Sequence, residues 1–161
     1  MSDDDHLYRR GVGVMLLNPR AKVWVGQRID NPVDAWQMPQ GGLDEGEEAW
    51  PGALRELEEE TGIPPRLVER VSQCSEPLRY ELPPELCEAL WGGRWKGQQQ
   101  DWFLARFTGS DADVDIATAQ PEFGAWKWVE PAQLPDLIVP FKRDLYRRLL
   151  TEFADYLRPA A

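Results

Sequence analysis

The sequence predicts an α/β fold in which a mixed central sheet is covered by helices on both faces, an α/β/α sandwich. Short apolar or alternating segments of strand length recur between residues 11 and 129. Two longer stretches, near residues 49–61 and 141–157, instead repeat their apolar positions at helical spacing. No internal repeat is evident, so the pattern is that of a layered domain rather than a stack of units.

The 161 residues form a single expected domain, with an acidic tail at about 1–7 and an amphipathic C-terminal helix at about 141–157. No run of about 18 apolar residues exists and the acidic start has no apolar core, so neither a membrane span nor a signal peptide is expected. The expected location is the cytoplasm. Cys74 and Cys87 have no metal-type spacing and His6 is the sole histidine, which removes Cys/His zinc sites and nucleophile–histidine pairs. A formal net charge of −10 argues against a protein that coats DNA or RNA through a broad basic surface. It leaves room for recognition of one phosphorylated end. The sequence leaves the oligomeric state open, and a monomer is compatible with it.

Taken in order, residues 11–17 (Gly-Val-Gly-Val-Met-Leu-Leu) are a near-continuous apolar run and read as a buried strand. Asn18-Pro19-Arg20-Ala21 reads as a turn, and residues 22–28 alternate like the second strand of a hairpin, with Arg28 at its end. Residues 30–35 form an expected surface loop before Gly41-Gly42. Those glycines let the backbone turn tightly or approach a ligand, and their carbonyls are potential metal ligands.

The helix over 49–61 carries the most informative pattern. At about 100° per residue, Glu56, Glu59 and Glu60 share one arc while Trp50, Leu54, Leu57 and Thr61 form a neighbouring, mostly apolar stripe. Gly62 followed by Pro64 and Pro65 stops the helix, and its first turn falls near 49–51, where the missing N–H of Pro51 costs little. Glu47 therefore lies in the preceding loop. Carboxylates spaced i, i+3, i+4 repel one another by a few tenths of a kcal/mol, roughly, per pair. Hard dications such as Mg²⁺ or Mn²⁺ would relieve that repulsion and leave positions open for phosphates. Taken alone, a charge run is more often a solvated face.

Beyond this helix, residues 67–71 and 78–82 read as strands, 83–90 as a short helical turn broken by Gly92-Gly93, and Gln98-Gln99-Gln100-Asp101 as the lead into a strand at 102–107. Residues 109–118 form a polar loop, and 126–129 form another strand, with Glu122 in the loop that feeds it. One or two helical turns are expected at 131–137. The final helix has apolar residues at 141, 145, 146, 149, 150, 153, 156 and 157.

Gly41, Glu47, Arg55, Glu56, Leu57, Glu59, Glu60, Gly62 and Ile63, at these spacings, resemble the signature of the Nudix hydrolases. The resemblance implies a Nudix-type α/β/α sandwich and a loop–helix–loop. In it Glu56, Glu59 and Glu60 are catalytic and bind a divalent metal, Mg²⁺ or Mn²⁺, with one of them serving as general base. Gly41, Glu47, Arg55 and Gly62 support the motif, with Gly41 also a metal ligand through its carbonyl and Arg55 orienting Glu47 or a motif carboxylate. The chain departs from the family pattern at Pro51-Gly52 and in a slightly long segment at 29–35.

Further segments resemble one branch, the bacterial RNA pyrophosphohydrolases with the diadenosine polyphosphate hydrolases: residues 36–42, 78–83, 97–103, 121–123 with 126–129, and 141–144 with 146–148. That implies removal of pyrophosphate from the 5′ triphosphate end of RNA, initiating mRNA decay. The alternatives are asymmetric diadenosine tetraphosphate hydrolysis and clearance of damaged nucleoside triphosphates. A non-catalytic nucleotide-binding module is disfavoured by the intact glutamates. The branch also implies Glu122 as a further metal ligand, and Arg28, Tyr80, Val139, Phe141 and Lys142 as contacts to the phosphates and first bases. Without the resemblance, Tyr80 is an ordinary strand residue, Phe141 a core residue at a helix start and Lys142 a solvated charge.

Overall fold

The computed structural model describes residues 5–30 and 34–157. Most of the expected acidic tail and part of the expected 30–35 loop therefore lie outside the described residues.

Strand β1 (Tyr8–Leu17) is the spine of an eight-stranded mixed sheet. Next in chain order come β2 (Val23–Arg28), β3 (Trp36–Gln37) and β4 (Gln40–Gly42). Helix α1 (Ala49–Thr61) follows, then β5 (Val68–Gln73), β6 (Leu78–Glu81) and the short helix α2 (Pro84–Trp91). Strands β7 (Gly97–Phe107) and β8 (Phe123–Val129) precede helices α3 (Leu134–Leu137) and α4 (Arg143–Glu152). β1 runs parallel to β7 in unbroken register from Tyr8↔Gly97 to Leu17↔Arg106. β7 also pairs antiparallel with β5 and β6, and β8 pairs with β2. A strand inside a sheet covered on both faces needs apolar residues on both, which explains the near-continuous run in β1.

Successive residues of β1 alternate between two cores. Val12, Val14 and Leu16 pack with Leu57 and Ala53 of α1, while Met15 and Leu17 join Leu145, Tyr146 and Leu149 of α4. The sheet is thus the middle layer of a sandwich, as the sequence predicts. α1 starts at Ala49 with Pro51 in its first turn, and Gly52 is buried where an added Cβ would strike Leu43, so the Pro51-Gly52 pair fits the helix start. Its end is capped by Gly62 in the left-handed region (φ 73°), whose N–H donates to the carbonyl of Glu58.

Three expectations need correction. Residues 22–28 do not form a full hairpin with the first strand, because β1 and β2 meet only at Leu17↔Val23. β1 spends Gly11–Gly13 on pairing with β4, and β2 pairs mainly with β8 instead. The glutamines at 98–100 lie inside β7 rather than leading into it, and Gln98 and Gln100 are buried. The expected helix over 141–157 is divided into a 3-10 turn at Pro140–Lys142, α4, and a second 3-10 turn at Ala154–Tyr156. Phe153 leaves helical geometry (φ −105°, ψ 13°) as its ring is buried in the α4-side core. Among the described residues, no helix is long and apolar enough to cross a membrane.

Candidate active site

The last two turns of α1 present the three motif glutamates while Leu57 and Thr61 anchor the helix in the core. Their environments differ steeply. The Glu59 side chain is 57 % exposed, that of Glu56 15 %, and Glu60 is 1 % exposed. Neither carboxylate oxygen of Glu60 has a hydrogen-bond partner among the described residues. Burial, and then the charges of Glu122 and Glu56, push the Glu60 carboxyl well above its ordinary value, against a weaker pull from the Gln40 backbone and Arg28. Glu56 is raised too, by burial first, with Arg55 opposing.

Arg55 ties the loop to the helix. Its Nε and Nη2 donate to the two carboxylate oxygens of Glu47 at 2.8 and 2.7 Å, and Nη2 also to the Gly42 carbonyl at 3.1 Å. Nη1 reaches Glu56 at 3.0 Å and Glu59 at 3.2 Å. The Glu47 carboxylate further accepts the Asp44 N–H at 3.0 Å. These bonds hold Glu47 at about 2. Arg55 is thus saturated by the protein and positions its carboxylates. At Gly41, paired with Val12, an added Cβ would stand 2.2 Å from the Glu56 carboxyl carbon, so glycine is what lets Glu56 lie against β4.

Glu122 arrives from the loop before β8, where its carbonyl accepts the Ile29 N–H at 2.9 Å. Arg28 Nη1 stands 3.7 Å from Glu122, while Nε and Nη2 of Arg28 donate to the two oxygens of Asp30, each at 2.8 Å. The Asp30 bond raises the Arg28 guanidinium further above its already high value.

A second wall comes from the α4 side. The Tyr80 and Phe141 rings are 6.4 Å apart, and the Lys142 ammonium stands 5.1 Å from the Tyr80 ring centre. Lys142 is buried rather than solvated. Burial, and then the Arg28 charge, lower it to about 8 against the opposing pull of Glu60. Arg28, Lys142, Glu60, Glu56 and Glu122 therefore feel one another's charge across a common site. Val139 is half-buried against the α4-side core, joined to this wall through its carbonyl, which accepts the Lys142 N–H at 3.0 Å.

Sequence reasoning missed a buried amide relay behind the site. Trp102 Nε1 donates to Gln100 Oε1 at 2.9 Å, and Gln100 Nε2 donates to Gln40 Oε1 at 2.8 Å and to Gln98 Oε1 at 3.2 Å. Gln40 Oε1 also receives the Tyr80 hydroxyl at 3.4 Å. The signal was the period-two placement of Gln98, Gln100 and Trp102 on one face of a strand.

Among the described residues, no three acidic, His or Cys side chains converge closely enough to hold a cation as they stand, since Glu56 and Glu59 lean on Arg55. The donor chemistry nevertheless fits a hard dication, being carboxylate oxygens with a backbone carbonyl nearby. The two unpartnered oxygens of Glu60 are the firmest sign, because a buried carboxylate without donors is costly until a cation or proton joins it.

The family model described as NUDIX domain matches residues 7–149. Over 152 residues the chain is 56 % identical to the RNA pyrophosphohydrolase of Erythrobacter litoralis, covering 93 % of each protein. It is 54 % identical to the RNA pyrophosphohydrolase of Novosphingobium aromaticivorans, over 93 % of this chain and 94 % of that one. Among solved structures, the Ap4A hydrolase of C. elegans in a binary complex aligns with a TM-score of 0.67 at 24 % identity, over 91 % of this chain and 98 % of that one, a likeness of fold.

Proposed function

This chain belongs to the Nudix family, and on that premise we propose that it is a metal-dependent pyrophosphohydrolase of 5′-triphosphorylated RNA. It cuts a phosphoanhydride bond and removes pyrophosphate from the RNA 5′ end, the step that initiates mRNA decay. Two relatives above 50 % identity that bear this activity in their names support the substrate. The observation that carries the chemistry is Glu60, buried and unpartnered beside Glu56 and Glu122.

Glu56, Glu59, Glu60 and Glu122, with the Gly41 carbonyl, are the residues that would hold Mg²⁺ or Mn²⁺. When bound, the metal supplies Lewis-acid charge compensation at the phosphorus under attack. One of the three motif glutamates takes the proton of the attacking water, which needs a carboxylate held within reach of it. Arg55 keeps Glu47, Glu56 and Glu59 in place through its five donors. Arg28 and Lys142 clamp phosphate oxygens, Arg28 by exchanging Asp30 for the ligand. Phe141 and Tyr80 offer ring faces to the first bases, with Val139 bordering them. The whole chain, 1–161, is read as one domain working as a cytoplasmic enzyme, where such RNA is made.

The test incubates purified protein with triphosphate-ended RNA and, separately, with diadenosine tetraphosphate, each with and without Mg²⁺. Metal-dependent pyrophosphate release from RNA at the higher kcat/KM is expected, and preference for the dinucleotide would reassign the substrate. Glu59→Gln, at an exposed position, should lower turnover by about two orders of magnitude or more with an unchanged melting temperature. Near-normal turnover would remove Glu59 from the mechanism.

A further inference from the structure

An open groove lies away from the glutamates, at the opposite end of the β2–β8 ribbon. It holds about 740 Å³ and is lined by Arg20, Lys22, Lys127, Trp126, Trp128 and Asp111, among others. Among the described residues β8 pairs only with β2, so no described strand covers its outer edge. Trp126 and Trp128 fall on one face of that strand and Lys127 on the other, so the groove wraps that edge.

The lining runs against the rest of the molecule. In a chain of formal net charge −10, three cations gather here. Lys22 is paired loosely with Glu130, at 3.9 Å between two exposed groups. Arg20 and Lys127 are exposed and, among the described residues, have no carboxylate within ion-pair distance, the Lys127 ammonium standing instead 4.2 Å from the Trp36 ring centre. The one acid in the lining, Asp111, is engaged by Trp128 Nε1 at 2.8 Å. The tryptophans are half-buried and packed on other rings. Trp126 stacks on Trp24 at 6.1 Å and Trp128 on Phe107 at 5.8 Å, which fixes their planes at the groove wall. Fixed aromatic planes among cations are the chemistry of a single-stranded nucleic-acid track, in which bases stack and phosphates are neutralised.

The ribbon also supplies a path. β2 runs from the groove at Val23 to the reactive site at Arg28, about 17 Å at about 3.4 Å per residue. β8 runs back from Phe123 beside Glu122. Gly124, between the two sites, is exposed, and a Cβ added there would meet only Ile29 at 3.4 Å among the described residues.

We propose that this groove binds the single-stranded RNA that continues downstream of the 5′ end held in the active site. The proposal rests on the RNA reading above and makes the groove a length-dependent affinity site, separate from the residues that perform the reaction.

The test compares wild type with Arg20→Glu/Lys127→Glu, two exposed changes whose folding is checked by circular dichroism. Binding of a 5′-hydroxyl 12-nucleotide single-stranded RNA is read by fluorescence anisotropy across a salt series. Turnover is read on a triphosphorylated dinucleotide and a triphosphorylated 12-mer. Wild type should bind the hydroxyl RNA and show a lower KM for the 12-mer than for the dinucleotide. The variant should lose about tenfold or more in both, flatten the slope of log K against log salt by about 0.7 per cation lost, and keep wild-type turnover of the dinucleotide. Equal hydroxyl-RNA affinity in both proteins, or equal KM for both lengths in wild type, overturns the proposal. If triphosphate ends are not hydrolysed but the variant still loses hydroxyl-RNA binding, the reaction assigned above fails and the groove stands.

Discussion

Glu60 shows how burial of one carboxyl group can lower stability. Its folded pKa lies above its ordinary 4.5, so the native state disfavours the ionised form. The sign follows from linkage: the penalty is absent well below pH 4.5 and grows as pH rises past it. Glu60→Gln should therefore stabilise the metal-free protein at pH 7 relative to wild type, while abolishing turnover. Adding Mn²⁺ should raise the melting temperature of wild type and of the variant much less, as thermal melts with and without chelator will show. Lys142 carries the opposite charge and the same kind of cost. Its folded value of about 8 lies below the usual 10.5, so the burden is full below about pH 8 and vanishes above 10.5. Lys142→Met should be more stable than wild type at pH 7, lose that gain between those pH values, and raise KM for triphosphorylated RNA.

At the scale of elements, the loop before α1 and the helix itself are joined by Arg55, which bonds Glu47, Gly42, Glu56 and Glu59 at once. Glu47 is held at about 2 instead of 4.5, so its contribution is complete above pH 4.5 and is lost as pH falls toward 2. The stability gap between wild type and Glu47→Gln, measured by urea unfolding, should be constant from pH 7 to about 5 and close progressively below that. Sequence reasoning placed α1 well because its signals are local: Pro51 at the start, Gly62 and two prolines at the end, and a carboxylate face beside an apolar stripe. It failed on the C-terminal helix for the complementary reason. The apolar spacing there continues through Phe153, but burial of that ring in the core bends the chain out of helical geometry.

For the molecule as a whole, the candidate site is a junction of α1, β4, the loop before β8 and the 3-10 turn before α4, held by the sheet between them. The amide relay is part of that frame, running from Trp102 in β7 through Gln100 to Gln40 in β4 and Tyr80 in β6. Gln100→Leu leaves buried donors and acceptors unpaired on both sides. It should cost about 1–3 kcal/mol in denaturant unfolding and lower kcat by displacing Gln40-Gly41 from beneath Glu56. A merely structural role would lower stability and leave kcat intact. The sequence by itself determined which helix carries the carboxylates, where it starts and stops, the layered α/β architecture, and the likeness of nine spaced positions to a hydrolase family. Those depend on periodicity, capping and residue chemistry within a few turns of chain. Only the tertiary structure decided that Glu60 is buried with no hydrogen-bond partner among the described residues, that Lys142 is buried, that Arg28 is held by Asp30, and that three glutamines form a relay. Each of these depends on burial and on partners brought by other elements, and dielectric and hydrogen-bond satisfaction are properties of the packed chain rather than of any segment.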